Sequence, residues 1–226
     1  MEKGILYIVA TPIGNLDDIT LRAIKILQSV DVIVCEDSRV SAVLLKKLGI
    51  EKRLLVIHEH TDSLVLRQFV QSLADGVQAA LITDAGTPAI ADPGTAVVSM
   101  VAKLHPEVKI VPIPGASAVV AALSVSGMYA NQFVFWGFVP HKKGRAAFFQ
   151  EIEQSEKVSV LFETPQRIAQ TMQSLSEFLQ PSRKICVVRE LSKQFETVYR
   201  GTVADAVTLL PEKEMKGEFV LVIDCK

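Results

Sequence analysis

The chain has 226 residues and a mass of 24.7 kDa, and 49% of its residues are hydrophobic while 22% are charged. This composition is typical of a globular protein with one large or two small domains, and it excludes a disordered chain. The net charge is -1 and neither half is strongly basic, which argues against a general binder of nucleic-acid backbones.

The cysteines and the hydropathy pattern bear on the cellular compartment. Cys35, Cys186 and Cys225 are too few and too far apart for a disulfide framework or a four-thiolate zinc site, and they fit a reducing compartment. The first apolar run meets Pro12 and Gly14, which is typical of a first strand rather than a signal peptide. No window has the roughly 20 apolar residues of a membrane span. We therefore expect a soluble cytoplasmic protein.

The first half of the chain alternates short apolar runs with amphipathic stretches. Strands are predicted at Ile5–Ala10, Val32–Cys35, Leu54–His58, Ala79–Thr83 and Val108–Ile113. Helices are predicted between them, at about 16–27, 41–48, 63–76 and 94–104, and the first has Asn15 and Asp18 as candidate caps. Strands made mostly of Val, Ile and Leu, separated by helices, are typical of a parallel sheet covered on both faces.

The pattern changes after the Pro-Ile-Pro-Gly segment at 112–115. This segment is the predicted boundary between an N-terminal α/β domain, residues 1–113, and a C-terminal α/β domain, residues 114–226. Strands are then predicted at Phe133–Phe138, Val158–Phe162, Lys184–Val188, Thr197–Arg200 and Phe219–Ile223, with helices at about 116–125, 144–154, 165–179 and 202–209. Residues 189–201 leave no room for a helix, so we expect antiparallel pairing there and a mixed sheet in this domain.

Several common motifs are missing from the sequence. It contains no G-x-G-x-x-G after the first strand, no G-x-x-x-x-G-K-[ST] and no G-x-S-x-G, which argues against an ordinary dinucleotide fold, a P-loop kinase and an α/β-hydrolase. The run His58-Glu59-His60 could ligate a metal, but no further ligands lie nearby in sequence. A structural or substrate-facing role is favoured for these histidines, and no metal site is predicted.

Four loops rich in Gly, Pro and small polar residues follow predicted strands, at 10–16, 36–39, 83–94 and 114–118. Open α/β sheets bind ligands outside the carboxyl ends of their strands, so these loops are expected to line a site, although each alone is compatible with an ordinary turn. The loop 83–94 exceeds the 2–6 residues usual for such a connection. Its carboxylates, Asp84 and Asp92, favour a ligand with positive charge and a flat ring, such as S-adenosylmethionine.

Seven segments, in colinear order over nearly the whole chain, carry a resemblance to a known family. They are TPIGNLDDIT at 11–20, CEDSR at 35–39, TDAGTPAIADPG at 83–94, PIPGASA at 112–118, FETPQR at 162–167, VRELSK at 188–193 and KGEFVLVI at 216–223. Together they resemble the ribosomal RNA small-subunit methyltransferase I family of the tetrapyrrole methylase superfamily. The resemblance implies two α/β domains with S-adenosylmethionine in the cleft between them. It also implies methyl transfer to the ribose 2′-oxygen of one cytidine, position 1402, in 16S ribosomal RNA.

The resemblance also implies a set of residues that contact the cofactor. Carried over position by position, they are Pro12, Asp84, Thr87, Ser117, Ala118, Phe162, Glu163, Leu191, Glu218 and Phe219. The positions in the first half coincide with the loops predicted from the pattern of strands, whereas those in the second half rest on the resemblance.

A ribose hydroxyl is a poor nucleophile, so a general base would assist the transfer. Asp37, Glu163 and Glu190 are the candidates, because each lies in or beside one of the seven segments. For Glu163 and Glu190, salt bridges to the nearby Arg167 and Arg189 are equally compatible with the sequence.

The densest basic cluster of the chain consists of Lys142, Lys143 and Arg145. It follows Phe138 and His141, whose rings could stack on a base, which favours contact with RNA over a merely solvated surface. Further candidates for RNA contact are four basic residues within the seven segments, namely Arg39, Arg167, Arg189 and Lys193.

Two other functions stay open: a methyltransferase acting on a tetrapyrrole or another small molecule, and a non-enzymatic module that senses an adenosine ligand. The segments 83–94 and 162–167 resemble the RNA branch of the superfamily more than the corrin branch. The superfamily resemblance further implies a homodimer, for which the apolar run 133–138 could supply buried surface, unless that run is a core strand.

Overall fold

The computed structural model describes residues 3–226, which fall into two compact units that divide between Ser117 and Ala118. The predicted domain boundary after Ile113 lies close to this division. Within residues 3–226 each unit contains one five-stranded sheet. A helix of the length and hydropathy needed to span a membrane is absent from these residues.

The first unit is built around a wholly parallel sheet, as predicted. Its strands are β1 (Ile5–Val9), β2 (Val32–Cys35), β3 (Arg53–Val56), β4 (Ala79–Leu81) and β5 (Lys109–Ile113). They lie in the order β3-β2-β4-β1-β5, and each neighbouring pair is parallel. The helices of this unit are α1 (Leu21–Ser29), α2 (Ser38–Lys47), α3 (Ser63–Ala74) and α4 (Gly94–Leu104).

Both faces of this sheet are buried, which explains why its strands are apolar at nearly every position. Successive side chains of a strand point to opposite faces. Val34 therefore packs into one core with Phe69, while Ile33 packs into a second core with Leu27 and Leu45. A sheet covered on both faces needs apolar residues in both registers, and the sequence supplies them.

The first predicted helix divides into two pieces. A 3₁₀ turn at Leu16–Asp18 is capped by Asn15, and α1 then begins after Thr20, whose hydroxyl accepts the backbone N–H of Ala23 at 3.0 Å. The prediction of Asp18 as the cap of a continuous helix is therefore wrong, because the extended backbone at Ile19 and Thr20 interrupts the helix.

The second unit contains the predicted mixed sheet. Its strands are β6 (Phe133–Phe138), β7 (Val158–Glu163), β8 (Lys184–Arg189), β9 (Thr197–Thr202) and β10 (Phe219–Ile223), and its helices are α5 (Ala118–Ser126), α6 (Arg145–Gln154), α7 (Ile168–Phe178) and α8 (Ala206–Leu209). The strand order is β6-β7-β10-β8-β9. Only β6 and β7 pair in parallel among the neighbouring strands of this described sheet, and β8 and β9 form the expected antiparallel pair.

Two differences in this unit affect the ends of helices. Helix α7 begins at Ile168, three residues later than predicted, because residues 164–167 form a turn in which the backbone N–H groups of Arg167 and Ile168 donate to the carbonyl of Thr164. The predicted helix 202–209 contains a 3₁₀ turn at Val203–Asp205 before α8. Both differences arise from side-chain and turn contacts at helix ends, which the hydrophobic pattern does not predict.

Candidate functional site

The carboxyl edge of the parallel sheet brings the loops after β1 and β4 together. Thr11, which is buried, exchanges two backbone hydrogen bonds with Gly86, at 2.9 and 3.1 Å. The Thr11 hydroxyl also donates to the carbonyl of Thr83 at 3.0 Å. Strands of a parallel sheet end at the same edge, so loops that are distant in sequence meet here.

The loop after β5 joins the same edge. The hydroxyl of Thr87 donates to the carbonyl of Ala116 at 3.1 Å. Gly115 packs so closely on the first loop that a Cβ at this position would lie 2.9 Å from the Cβ of Ala10. Of the predicted cofactor positions, Pro12, Asp84, Thr87 and Ser117 lie in or beside these three loops. Ala118 is the first residue of α5.

The loop 83–94 holds an unusual backbone conformation. Ala89 and Ala91 have positive φ values, 69° and 60°, which residues with a side chain seldom adopt outside functional sites. The carboxylate of Asp92 fixes this conformation by accepting the N–H groups of Ala89 at 2.9 Å and Gly94 at 2.7 Å. The other oxygen of Asp92 is buried and has no hydrogen-bond partner within residues 3–226. A buried acceptor without a donor needs an explanation, and a bound water, ion or ligand would provide one.

Carboxylates of two loops cluster at this edge, and we call Glu36, Asp37, Asp84 and Asp92 the acidic edge. Burial raises the pKa of Glu36, and the nearby charges of Asp84 and Asp92 raise it further. Burial also raises the pKa of Asp84, and the charge of Asp37 adds to the effect. Like charges at close range disfavour ionisation, so a cation would be stabilised here. The sequence predicted Glu36 only as part of the loop 36–39 and not as an individual site residue.

Glu36→Gln is expected to raise the melting temperature of the chain at pH 7. The pKa of Glu36 is raised in the folded state from its ordinary value of 4.5, so ionisation of this carboxyl destabilises the folded chain. The loss of stability develops as the pH rises from 4.5 to the folded pKa, and it is fully present above that pKa. The advantage of glutamine should vanish below about pH 4, where the carboxyl is protonated in both states. Thermal unfolding followed by circular dichroism at both pH values tests this, with Glu51→Gln as an exposed control in the same unit. An equal gain at both pH values would contradict the prediction.

Asp37 is occupied as a helix cap and an ion-pair partner. Its carboxylate accepts the backbone N–H of Arg39 at 2.8 Å and pairs with the Arg39 guanidinium. These hydrogen bonds lower the pKa of Asp37 to about 2. A general base works best when its pKa lies near the working pH, so Asp37 is poorly suited as the catalytic base. The side chain of Arg39 is 89% exposed, and its contact with RNA stays a prediction.

Glu163, at the end of β7, lies in a buried polar network. Its side chain has 0% exposure and accepts the guanidinium of Arg167 at 2.8 Å, the hydroxyl of Thr171 at 2.6 Å and the backbone N–H of Thr164 at 2.7 Å. A carboxylate with these donors and no exposed surface cannot take a proton from a substrate. The geometry favours the alternative of a salt bridge to Arg167, and the identity of the catalytic base stays a prediction.

Two of the arginines predicted to contact RNA are instead turned inward. Arg145 is only 8% exposed, donates to the carbonyl of Pro140 and the hydroxyls of Thr171 and Ser174, and lies 5.2 Å from the ring centroid of Phe149. Burial lowers the pKa of Arg145. The prediction that Arg145 is a surface phosphate contact is wrong, because its position as the first residue of α6 directs it between α6 and α7.

The second inward arginine is Arg167, whose side chain is largely buried against Glu163 and the carbonyl of Val139. Its predicted contact with RNA is therefore also contradicted, since its guanidinium is engaged inside the unit. Lys142 and Lys143 are exposed, as a substrate contact requires.

The predicted positions near the ends of β8 and the start of β10 are close together. The carboxylate of Glu190 accepts the backbone N–H of Glu218 at 2.9 Å and Lys193 at 3.0 Å, and Lys193 also pairs with the Glu218 carboxylate. Although burial of Glu190 opposes it, these donors lower the pKa of its carboxyl. Glu190 thus forms a salt bridge with Lys193, whereas its expected partner Arg189 donates to the carbonyls of Phe195 and Lys216.

This second-unit region also contains strained backbone. Glu190 and Ser192, on either side of Leu191, have φ values of 51° and 67°. Gly217 has a φ of 96°, which favours glycine, and a Cβ there would lie 2.5 Å from a carboxylate oxygen of Glu190 and would displace that side chain. Strain of this kind clusters at ligand sites, which supports the prediction for Leu191 and Glu218.

The two predicted phenylalanine contacts differ in environment. Phe219 is buried in the core of the second unit, so its side chain is not accessible to a ligand in this structure. The ring of Phe162 packs against Phe135 and Phe138, with centroids 4.8 and 5.6 Å apart, and Phe138 is 50% exposed.

Within residues 3–226 there is no group of three His, Cys, Asp or Glu side chains placed to hold a metal ion. The exposed histidines His58 and His60 form a turn in which the N–H of His60 donates to Nδ1 of His58 at 3.1 Å. This contact favours the structural interpretation of the His-Glu-His run.

The chain is similar to a known class of enzymes. The profile of the family described as Tetrapyrrole (Corrin/Porphyrin) Methylases matches residues 5–207. The fold is similar to that of uroporphyrin-III-C-methyltransferase from Thermus thermophilus, with a TM-score of 0.65 and 18% identity over 97% of this chain and 94% of that chain. It is equally similar, with a TM-score of 0.65 and 19% identity, to the cobalamin biosynthetic enzyme cobalt precorrin-4 methyltransferase, over 96% of this chain and 93% of that chain.

More similar sequences define the family further. Proteins named ribosomal RNA small subunit methyltransferase I are 45% identical in Neisseria meningitidis serogroup B, over 97% of this chain and 76% of the relative, and 42% identical in Pasteurella multocida, over 99% of this chain and 80% of the relative. The relative from Synechocystis sp. is 41% identical over 97% of this chain and 78% of its own length. The chain therefore belongs to the ribosomal RNA small subunit methyltransferase I family of the tetrapyrrole methylases, which confirms the resemblance seen in the sequence.

Proposed function

We propose that the chain transfers a methyl group from S-adenosylmethionine to small-subunit ribosomal RNA, and that the acceptor is the ribose 2′-oxygen of cytidine 1402 in 16S ribosomal RNA. The observation that carries this proposal is the 45% identity, over 97% of the chain, to a protein named as a methyltransferase of small-subunit ribosomal RNA. The similar enzymes named for tetrapyrrole substrates are less than one fifth identical, and that likeness supports the fold alone.

The acidic edge supports S-adenosylmethionine as the cofactor. This molecule carries a sulfonium and an ammonium group, and the raised pKa values of Glu36 and Asp84 indicate a place where a cation would relieve repulsion between carboxylates. The unpaired buried oxygen of Asp92 and the strained loop around it fit a bound ligand. When bound, S-adenosylmethionine supplies an electrophilic methyl group for in-line displacement, and the chain's contribution is to position the two reactants.

The basic surface of the second unit supports RNA as the acceptor. Lys142 and Lys143 are exposed, His141 lies beside them, and the half-exposed ring of Phe138 offers a surface for base stacking. Lys142 and Lys143 are available to bind phosphates, while the net charge of -1 keeps general nucleic-acid binding weak. Because ribosomal subunits are cytoplasmic, the proposal places the chain in the cytoplasm.

The proposed reaction can be tested with small ribosomal subunits from a strain that lacks this 2′-O-methyl group. Incubation with the chain and isotope-labelled S-adenosylmethionine, followed by mass mapping of RNA fragments, should place one methyl group on the ribose of cytidine 1402. Reactions without the chain and reactions with a uroporphyrinogen acceptor are the controls. Methylation of the tetrapyrrole instead, or cofactor binding with no transfer to either acceptor, would contradict the proposal.

We further propose that the chain is a homodimer. Strand β6 lies at an edge of its sheet, paired with β7, and its end residues Phe133 and Phe138 are partly exposed. An apolar edge strand is commonly covered by a partner, which would here cover the Phe133 end of β6 and leave the ring of Phe138 open to RNA. Sedimentation velocity should show a dimer that dissociates on dilution, whereas a monomer at all concentrations would contradict this proposal.

A further inference from the structure

Two exposed lysines of the second unit, Lys142 and Lys143, lie on a loop whose start accepts hydrogen bonds from two buried arginines. We call residues 140–144, between β6 and α6, the basic loop. The guanidinium of Arg167 donates to the carbonyl of Val139 at 2.8 Å, and that of Arg145 donates to the next carbonyl, of Pro140, at 3.2 Å. The start of the basic loop is thus fixed at two consecutive carbonyl groups, and Lys142 and Lys143 follow directly.

The two arginines are linked to each other beneath the loop. The hydroxyl of Thr171 accepts from Arg145 at 2.8 Å and donates to the carboxylate of Glu163 at 2.6 Å. The other oxygen of Glu163 accepts from Arg167 at 2.8 Å. We call these four residues the buried network. The Thr171 hydroxyl is both acceptor and donor. Among these described hydrogen bonds it is the group that connects Arg145 to the Glu163–Arg167 ion pair.

The charges of the buried network do not balance. Two guanidinium groups face one carboxylate, and within residues 3–226 the hydrogen bonds of Arg145 go to neutral oxygens, while its charge lies over the ring of Phe149. A buried charge without an opposite charge is costly, and apolar residues of similar volume commonly give greater stability. The buried network therefore carries net positive charge next to the carbonyls of Val139 and Pro140, where the basic loop begins, and this charge favours an anion at the loop.

We propose that Arg145, Thr171 and Arg167 are positioning residues that hold the basic loop in the conformation that binds RNA. This inference rests on the proposed function. It adds that Lys142 and Lys143 bind phosphates only when the hydrogen bonds of the buried network are formed. A purely structural network would instead affect the stability of the unit and leave the recognition of RNA unchanged.

Thr171→Val breaks the buried network, because it removes the hydroxyl that bonds to Arg145 and Glu163 and keeps the β-branched side chain. We expect the KM for small ribosomal subunits to rise about threefold to tenfold, which is the equilibrium factor of one typical hydrogen bond. The kcat and the affinity for S-adenosylmethionine should stay near those of the unaltered chain. Thr171→Ser, which keeps the hydroxyl, should restore the KM. The control is Ile152→Val, which removes a buried methyl group from α6 and leaves the network intact.

A second set of variants tests whether Thr171 acts through the basic loop. Lys142→Gln combined with Lys143→Gln should raise the KM and flatten the salt dependence of subunit binding, by about 0.7 to 0.9 in the slope for each phosphate that is no longer neutralised. Adding Thr171→Val to this pair should then raise the KM little further, since the lysines that Thr171 positions are already absent. An equal increase in both backgrounds would overturn the proposal.

The remaining outcomes separate this inference from the proposed function. If the unaltered chain does not methylate ribosomal RNA, the proposed function fails and the inference falls with it. If it does, but the lysine pair or Thr171→Val leaves the KM unchanged, only the inference is overturned, and the same holds if Ile152→Val raises the KM as much as Thr171→Val. Should Thr171→Val not fold, Arg167→Lys replaces it, because it keeps the charge and loses the fork that joins Val139 to Glu163.

Discussion

Glu163→Ala is expected to lower the free energy of unfolding of the second unit by about 3–5 kcal/mol, because it leaves buried guanidinium charge without its carboxylate. The side chain of Glu163 has no exposed surface, so water cannot replace the missing partner. Denaturation in urea, followed by the fluorescence of Trp136, measures the effect. Trp136 is the chain's single tryptophan and packs on the core of the second unit, so it reports on that unit alone.

Two further variants establish the cause of the expected loss of stability. Glu163→Gln keeps an oxygen that can accept the hydroxyl of Thr171 but removes the charge, so it should fall between alanine and the unaltered chain. Glu177→Gln makes the same change at an exposed carboxylate of α7 and should alter stability by less than about 0.5 kcal/mol. If Glu163→Ala unfolds at the same urea concentration as the unaltered chain but loses methyl transfer, the structural role is wrong and a catalytic role is favoured.

Asp84→Ala is expected to weaken the binding of S-adenosylmethionine about tenfold, within the roughly 1–3 kcal/mol typical for removal of a charged hydrogen-bond partner. Asp84 is an exposed residue whose pKa is raised by partial desolvation and by the charge of Asp37, so its carboxylate gains from a nearby cation. Calorimetric titration of the purified chain measures this affinity directly, without requiring methyl transfer.

The comparison of ligands makes this second prediction specific. S-adenosylhomocysteine lacks the methyl group and the sulfonium charge, so Asp84→Ala should weaken its binding less than that of S-adenosylmethionine. Asp17→Ala, which removes an exposed carboxylate from the 3₁₀ turn of the same unit, should leave both affinities unchanged. Equal reductions for the two ligands would mean that Asp84 acts on another part of the cofactor, and no reduction for either would contradict the cofactor site at the acidic edge.

The strands and their faces could be predicted from the sequence, because a strand that is buried on both faces is apolar at successive positions. Val32–Cys35 is apolar at each position, and Ile33 and Val34 indeed pack into different cores on the two faces of the sheet. Residues 189–201 were correctly predicted to pair antiparallel, since no helix fits there. The start of α1 could not be predicted from hydrophobic spacing, because the hydroxyl of Thr20 decides it by capping a free N–H group.

The candidate site, too, could be predicted from the sequence only in part. The segments that carry the family resemblance, and the punctuation of the loop 83–94 by glycine, proline and aspartate, can be seen in the chain itself. The proximity of Glu36 to Asp84 could not be predicted, because it depends on which strands become neighbours. Strand β2 lies beside β4 rather than β1, and this brings the loops that follow β2 and β4 together.

The direction of each charged side chain was decided only by the tertiary structure. Lys142, Lys143 and Arg145 form one basic cluster in sequence, yet the lysines are exposed while Arg145 is buried among the hydroxyls of α7. Glu190 could have paired with Arg189, but Lys193 takes that place. A charge is visible in sequence, whereas its partner is set by packing between elements that are far apart in the chain, and burial makes that partner obligatory.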